Sequence, residues 1–194
     1  MVPREKLQTL NPCRTRGFSI VELLIVLLVI MIITGVALPA FLRAYQSYQV
    51  GDAASRMADI IKFTRYEAIR RNTPISCLIR QPAGTTTAWT DSNGTGVKDP
   101  TERQVLFSGT VGPIAAGAPN GLAASVGAAL TAISLTNGAI TFDQRGALTI
   151  AAVDVIYVGN TAVPGAGYRA VVVLPSGSIQ LWTAPAGGPW VLVN

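Results

Sequence analysis

The 194-residue sequence contains no histidine. This excludes acid–base catalysis by histidine, Ser-His-Asp and Cys-His nucleophiles, and zinc sites with histidine ligands. Only two cysteines are present, Cys13 and Cys77, which is too few for a disulfide scaffold or an all-cysteine zinc site. We expect Cys77, far downstream of Cys13, to be a small buried apolar side chain.

Charged residues are also scarce. They make up 13% of the chain, against about a quarter of a typical soluble domain, and hydrophobic residues make up 49%. The mean hydropathy is +0.42. This composition argues against a disordered chain and against a wholly soluble globule. The length allows one small domain together with a membrane anchor.

The positive charge is unevenly distributed along the chain. Of the net charge of +5, residues 1–17 carry +3 and residues 43–80 carry +4, whereas residues 81–194 carry −1 and Glu22 carries the remaining −1. The C-terminal part is therefore close to neutral. A nucleic-acid-binding domain normally concentrates positive charge on its folded part, so this distribution does not favour one.

Residues 23–42 form a run of 20 residues without a charge. A helix of that length spans about 30 Å, the thickness of the hydrocarbon core of a bilayer. A cleaved secretory signal is the alternative, but its apolar region would be shorter, about 7–15 residues. Glu22 precedes the run, and a carboxylate costs about 2.5–3.5 kcal/mol at the bilayer centre. Glu22 is therefore either a functional residue or a group at the headgroup boundary.

The segment from Gly17 to Val26, GFSIVELLIV, resembles the prepilin processing site of type IV pilins and type II secretion pseudopilins. A short basic leader precedes it and a long apolar run follows. The resemblance implies that a prepilin peptidase cuts between Gly17 and Phe18 and that Phe18 is then N-methylated. It also implies that Glu22 neutralises the Phe18 amine of a neighbouring subunit during filament assembly, and that Pro39 kinks the helix.

The orientation in the membrane follows from the resemblance more than from charge. Four Lys or Arg residues precede the anchor, and Arg43, Arg56 and Lys62 follow it, which is a weak bias. The resemblance implies a single-pass protein of the inner membrane with a cytoplasmic N-terminus and a periplasmic C-terminal domain.

A helical pattern continues beyond the anchor. Apolar residues recur at helical spacing and form one stripe, and Asn72 with Pro74 marks its end. The stripe consists of Val50, Ala54, Met57, Ile61 and Ala68. Two pairs at i,i+4 spacing are expected on the exposed side, Asp52 with Arg56 and Glu67 with Arg71. We interpret the basic run Arg65, Arg70 and Arg71 as a solvated helix end, with phospholipid or nucleic acid as alternative contacts.

Three later segments are similar to the GspH/FimT family of type IV pilin-like proteins. They are residues 63–77 (FTRYEAIRRNTPISC), 140–146 (ITFDQRG) and 170–177 (AVVVLPSG). Their order agrees with the family's passage from helix to first strand, its later strand and turn, and its final hairpin. Residues 81–135 resemble nothing that we can name.

Residues 74–194 are predicted to form short strands separated by Gly and Pro. The predicted strands are Ile75–Arg80, Gln104–Phe107, Ala139–Phe142, Leu148–Ala152, Val155–Val158, Arg169–Leu174, Ser178–Trp182 and Trp190–Val193. Residues 108–138 are rich in Ala and Gly, and we predict a surface excursion there. The fold class is therefore α+β and type IV pilin-like: one long N-terminal helix, transmembrane in its first half, packs on a C-terminal antiparallel sheet.

The loop of residues 91–102 has the offsets of a calcium-binding loop. Asp91, Asn93 and Thr95 stand at positions 1, 3 and 5, Gly96 at position 6, Asp99 at position 9 and Glu102 at position 12. Thr95 is a poor ligand, Lys98 repels a cation, and turn residues often produce this spacing. We predict no metal site and no cofactor, and leave calcium at this loop as the alternative.

Together these features predict four segments and a structural function. The segments are a leader (1–17), a transmembrane and filament-core helix (18–42), an amphipathic extension (43–73) and a periplasmic β-rich domain (74–194). The expected function is that of a minor pseudopilin of the type II secretion system, without enzymatic activity. The alternative is a FimT-like minor type IV pilin in pilus assembly or DNA uptake. Expected partners are other pilins or pseudopilins, prepilin peptidase, the inner-membrane assembly platform and lipid; DNA is not expected.

Overall fold

A computed structural model describes residues 17–107 and 109–193. The first element is helix α1, Ile20–Arg71. The helix stops before Asn72, as the sequence predicts. Asn72 is the one non-glycine residue with positive φ (52°) in the described chain. The N–H groups of Asn72 and Thr73 donate to the carbonyl oxygens of Ile69 and Ala68. This is the Schellman pattern, and Asn tolerates the left-handed conformation that it requires.

The chain divides between Ala40 and Phe41 into two compact units. In the first unit, the described residues are helical from Ile20 onward, and Pro39 lies inside the helix. None of the apolar window is buried within the chain, and the helix is long and apolar enough to cross a membrane. Since apolar side chains this exposed are unfavourable in water, the segment requires a lipid or protein environment.

The described residues of the second unit form ten strands. They are β1 (Ile75–Arg80), β2 (Thr86–Asp91), β3 (Gln104–Phe107), β4 (Val111–Ile114), β5 (Leu130–Ala132), β6 (Gly138–Phe142), β7 (Val153–Asn160), β8 (Tyr168–Val173), β9 (Ile179–Ala184) and β10 (Val191–Leu192). Short 3-10 turns lie at Pro82–Gly84 and Pro164–Ala166, and a second helix, α2, spans Leu122–Val126.

These strands form two sheets where the sequence predicts one. The four-stranded sheet has the order β3-β2-β1-β6, and the six-stranded sheet has the order β10-β9-β8-β7-β4. All neighbours along these two paths are antiparallel. β5 pairs with β7 in parallel. The prediction of a long helix with antiparallel β-structure is confirmed.

One face of α1 packs against strands of both sheets. Each member of the predicted apolar stripe is buried, which confirms the stripe. A single core cluster joins these side chains to apolar residues of β1, β6, β7 and β8.

The expectation that Glu67 lies on the exposed side of the helix is wrong, because Glu67 is buried, with only 7% of its surface exposed. Asp52 and Arg56 do lie on the exposed side, 3.9 Å apart.

The excursion of residues 108–138 has more structure than its composition indicates. It contains β4, α2 and β5, and Leu122 of α2 is buried against the other face of the six-stranded sheet. The Trp190 indole N–H donates to the carbonyl oxygen of Pro119 at 3.0 Å, which holds the excursion against the sheet. Burial of a few large side chains thus offsets the weak local preference of the Ala/Gly sequence.

Two other strand predictions differ from the structure. β2 is absent from the predictions because the two apolar residues of its sequence, TTAWTD, are adjacent and show no alternation, yet pairing with β1 and β3 buries all six residues. Leu148–Ala152 is not a strand. Leu148 forms one isolated bridge with Phe142, and the Ala152 N–H donates to the carbonyl oxygen of Ile150, which turns the chain.

Candidate functional site

The predicted processing site lies at the start of α1. Gly17, Phe18 and Ser19 precede the helix in non-helical conformation, and the Phe18 side chain is 81% exposed. The Ser19 hydroxyl accepts a hydrogen bond from the Val21 N–H at 3.3 Å. This bond caps the helix. The peptide bond between Gly17 and Phe18 is therefore outside the helix.

Glu22 lies in the first turn of α1. A carboxylate there is favoured by the positive end of the helix dipole. Within residues 17–107 and 109–193, no Lys or Arg lies within 4 Å of the Glu22 carboxylate, and no hydrogen bond to it is formed. The structure thus places Phe18 and Glu22 four residues apart at one end of the helix.

The basic run at the other end of α1 is held within the domain. Glu67 binds Arg70 in bidentate fashion, at 2.6 and 2.9 Å, and also accepts from Arg71. Arg71 in turn donates to the carbonyl oxygen of Ser92 at 3.2 Å. Hydrogen bonds from Arg70, with those from Arg71 and both positive charges, lower the pKa of Glu67 to about 2 against the opposing effect of desolvation. This network fixes the end of α1 to the loop after β2.

A second contact joins α1 to the two turns that the family resemblance singles out. Arg65 Nε donates to the carbonyl oxygen of Gly146 at 2.9 Å. Gly146 and Gly177 both have positive φ, 80° and 78°. A Cβ at Gly177 would overlap the Gly146 carbonyl oxygen and lie 2.8 Å from Arg65 Nε. The close approach explains why both turns contain glycine at this point.

The loop of residues 91–102 uses its carboxylates internally. Asp91 accepts hydrogen bonds from the backbone N–H groups of Thr95 and Gly96, at 3.1 and 3.0 Å. Glu102 accepts from those of Ser92 and Asp99, at 2.8 and 3.1 Å. In the described part of the chain, no group of three His, Cys, Asp or Glu side chains is arranged to hold a metal ion. Both carboxylates thus accept hydrogen bonds from backbone amides of their own loop.

Cys77 is a core residue, as expected. It is fully buried in β1, and burial raises the pKa of its thiol to about 12. A thiol of that pKa is almost entirely protonated at neutral pH and is a poor nucleophile.

Two family models match the sequence. One, described as type II transport protein GspH, matches residues 53–177, and the other, the prokaryotic N-terminal methylation motif, matches residues 13–38. The first covers more than half of the chain. The chain belongs to the GspH family. No curated protein and no solved structure matches it.

At the level of its family, this chain is a pilin-like minor pseudopilin. Proteins of this family are structural subunits. It implies assembly with other pilin-like subunits and processing by prepilin peptidase. The apolar helix and the methylation motif indicate membrane anchoring. The roles of Gly17, Phe18 and Glu22 stay predictions. Sequence reasoning missed the burial of Glu67 and the contact of Arg65 with Gly146, because each depends on a partner distant in the sequence.

Proposed function

We propose that this GspH-family protein is a minor pseudopilin of a type II secretion system and a subunit of the pseudopilus that moves proteins across the outer membrane. The observation that carries the proposal is the match to GspH across the helix and sheet domain, joined to a methylation motif at the N-terminus. The chain itself catalyses nothing in this role.

The N-terminal residues supply processing and assembly. Prepilin peptidase cuts between Gly17 and Phe18, and Phe18 is N-methylated. The chain waits in the inner membrane with its N-terminus in the cytoplasm and its C-terminal domain in the periplasm. On assembly, Glu22 pairs with the Phe18 amine of a neighbouring subunit. Two opposite charges paired in an apolar filament core are tolerable, whereas one alone is costly. Pro39, which removes one helical hydrogen bond, is where the helix bends during this transfer.

The arrangement of the basic residues supports secretion over DNA uptake. Arg56, Arg65 and Arg71 each donate to a backbone carbonyl oxygen of the same domain. Beyond residue 103, the only basic residues are Arg145 and Arg169. Non-specific DNA binding depends on several phosphate contacts from exposed Lys and Arg. This domain offers few cations that are not already engaged.

The test is a deletion strain complemented with variants of the full chain. Extracellular protein and DNA uptake are measured side by side. Wild type should restore secretion, and Glu22→Ala should not, because the carboxylate needed to pair with the neighbouring amine is gone. Asp59→Ala is the matched control. It removes an exposed carboxylate from the same helix, whose distance to Lys62 is 4.0 Å. It should restore secretion as well as wild type does.

If the deletion strain secretes normally but loses piliation or DNA uptake, the protein would instead be assigned to the type IV pilus. Equal complementation by Glu22→Ala and wild type would refute the role given to Glu22. Mass spectrometry of the mature chain checks processing separately, since it should begin at an N-methylated Phe18.

A further inference from the structure

A groove lies between α1 and the β9–β10 edge of the six-stranded sheet, within the second unit. It has a volume of about 360 Å³. Its lining combines polar Ser47 and Ser55 of α1, apolar Leu181 and Val193, and the charged residues Asp52 and Arg169. Gly51 faces Arg169 across the groove, and a Cβ there would lie 4.0 Å from Arg169 Nε. The groove is open, mixed in polarity and lined by one cation.

Arg169 forms no ion pair with a carboxylate of residues 17–107 or 109–193. Its guanidinium donates to the carbonyl oxygen of Tyr168 at 3.1 Å and to the Ser47 hydroxyl at 3.4 Å. Among the described residues, no Asp or Glu lies within 4 Å of it. The carboxylate of Asp52, which also lines the groove, faces Arg56 at 3.9 Å. The side chain is half-buried, and desolvation lowers the pKa of Arg169. A partly desolvated guanidinium with unused donors favours an anion as its partner.

The groove lies close to the end of the apolar run. The uncharged run ends at Leu42. Ser47 follows it by five residues, which is about 8 Å along a helix. The headgroup layer on each side of a bilayer is about 5–8 Å thick. Tyr45 and Tyr48 are 53% and 74% exposed at the same level of α1. Exposed tyrosines beside a membrane-spanning segment are typical of the membrane–water interface.

The C-terminal edge strand adds an apolar surface beside the groove. Val191, Leu192 and Val193 are all exposed, and Val193 lines the groove together with Arg169. Three consecutive exposed apolar residues at a sheet edge are unfavourable in water. Next to a bilayer, they can enter the boundary between headgroups and acyl chains.

We propose that the groove binds the headgroup of an anionic phospholipid while the protein waits in the membrane, with the phosphate accepting hydrogen bonds from Arg169 and Ser47 and with Val193 in the boundary layer. The inference rests on the proposed function, because it requires the chain to be anchored in a bilayer. The bound lipid holds the periplasmic domain at the membrane surface, and transfer into a filament releases it.

The full chain is reconstituted in nanodiscs of phosphatidylcholine, with or without 30% phosphatidylglycerol in the mixture, and unfolding of the domain is followed by tryptophan fluorescence. Because a ligand that binds the folded state raises its melting temperature, phosphatidylglycerol should raise the Tm of wild type by about 2–4 °C. Arg169→Gln should abolish the rise, and Arg169→Lys should keep most of it. If Arg169→Gln does not fold, Val193→Asp serves instead. It places a carboxylate at an exposed position beside the groove and should also abolish the rise.

Arg145→Gln is the matched control. Arg145 is exposed on the turn whose Gly146 contacts Arg65, which lies about 27 Å beyond Ser47 along α1. Its removal changes the net charge equally and should leave the rise intact. The proposal is overturned if wild type shows no rise, or if Arg145→Gln and Arg169→Gln lose it equally. It is also overturned if the rise is absent while Arg169→Gln abolishes secretion, because the groove would then contact a protein.

Alkaline extraction of membranes separates failure of this inference from failure of the proposed function. A wild-type chain that remains in the membrane but shows no lipid-dependent rise overturns the lipid site alone. A wild-type chain that is extracted overturns the membrane anchor itself, and the lipid site with it.

Discussion

Replacing Gly177 with alanine should disrupt the contact between α1 and the two glycine turns. Gly177 has a φ of 78°, a conformation that costs an alanine about 1–2 kcal/mol. The new Cβ would also overlap the backbone carbonyl oxygen of Gly146. A backbone atom cannot move aside by changing rotamer, so the turn of Gly146 or that of Gly177 must shift.

The shift has a second consequence, because the Gly146 carbonyl oxygen accepts the hydrogen bond from Arg65 Nε at 2.9 Å. Loss of a hydrogen bond to a charged group costs about 1.5–3 kcal/mol. The backbone strain and the lost bond together predict a loss of about 2.5–5 kcal/mol in the free energy of unfolding. That is a large share of the stability of an ordinary domain.

The measurement is urea unfolding of the full chain in detergent, followed by tryptophan fluorescence. Gly187→Ala is the matched control, because Gly187 has a similar φ of 75° but nothing within 4 Å of the added Cβ. It should lose only the strain, about 1–2 kcal/mol. Equal losses in the two variants would show that the close approach of the turns adds nothing, and would refute the reasoning.

Two further predictions concern carboxylates. The pKa of Glu67 is lowered to about 2 from its ordinary 4.5, so its ion pairs stabilise the fold fully above pH 4.5, and this stability is lost as the pH falls towards 2. Since Arg70 and Arg71 are partly exposed, we expect about 1–2 kcal/mol at pH 7. Glu67→Gln should remove it and flatten the dependence of stability on pH between 5 and 2; an unchanged slope would contradict the pairing. Millimolar calcium should leave the Tm unchanged, because the carboxylates of Asp91 and Glu102 already accept hydrogen bonds from backbone amides. A rise of several degrees in the Tm would contradict this.

Local signals in the sequence were sufficient for the helix and for most strands. The stop at Asn72 combines a residue that tolerates positive φ with a proline two residues later. The strand β1 was predicted with its observed bounds because alternating apolar residues are followed by a turn. Patterns of this kind depend on neighbouring residues only, and the family resemblance supplied the N-terminal site.

The elements that were missed depend on contacts between distant segments. β2 is polar in sequence and is buried only because β1 and β3 pair with it on both sides. Glu67 has the spacing of an exposed helix pair, yet the loop that follows β2 covers it through the Arg71 contact with Ser92. A single sequence carries no direct record of such pairings, so pattern reasoning assigns these residues by their composition.

The same distinction separates cations that hold the fold from cations that remain available for binding. Arg56, Arg65 and Arg71 each bridge α1 to a loop or strand more than 20 residues away, so replacing them should lower stability before it reveals a role in assembly. Within the described residues, Arg169 bonds only to the carbonyl oxygen of Tyr168 and to the Ser47 hydroxyl, the latter at 3.4 Å. Its guanidinium therefore contributes little to folding relative to what its desolvation costs. For this reason Arg169, rather than the more numerous arginines of α1, is the position where a change of charge should affect binding without unfolding the domain.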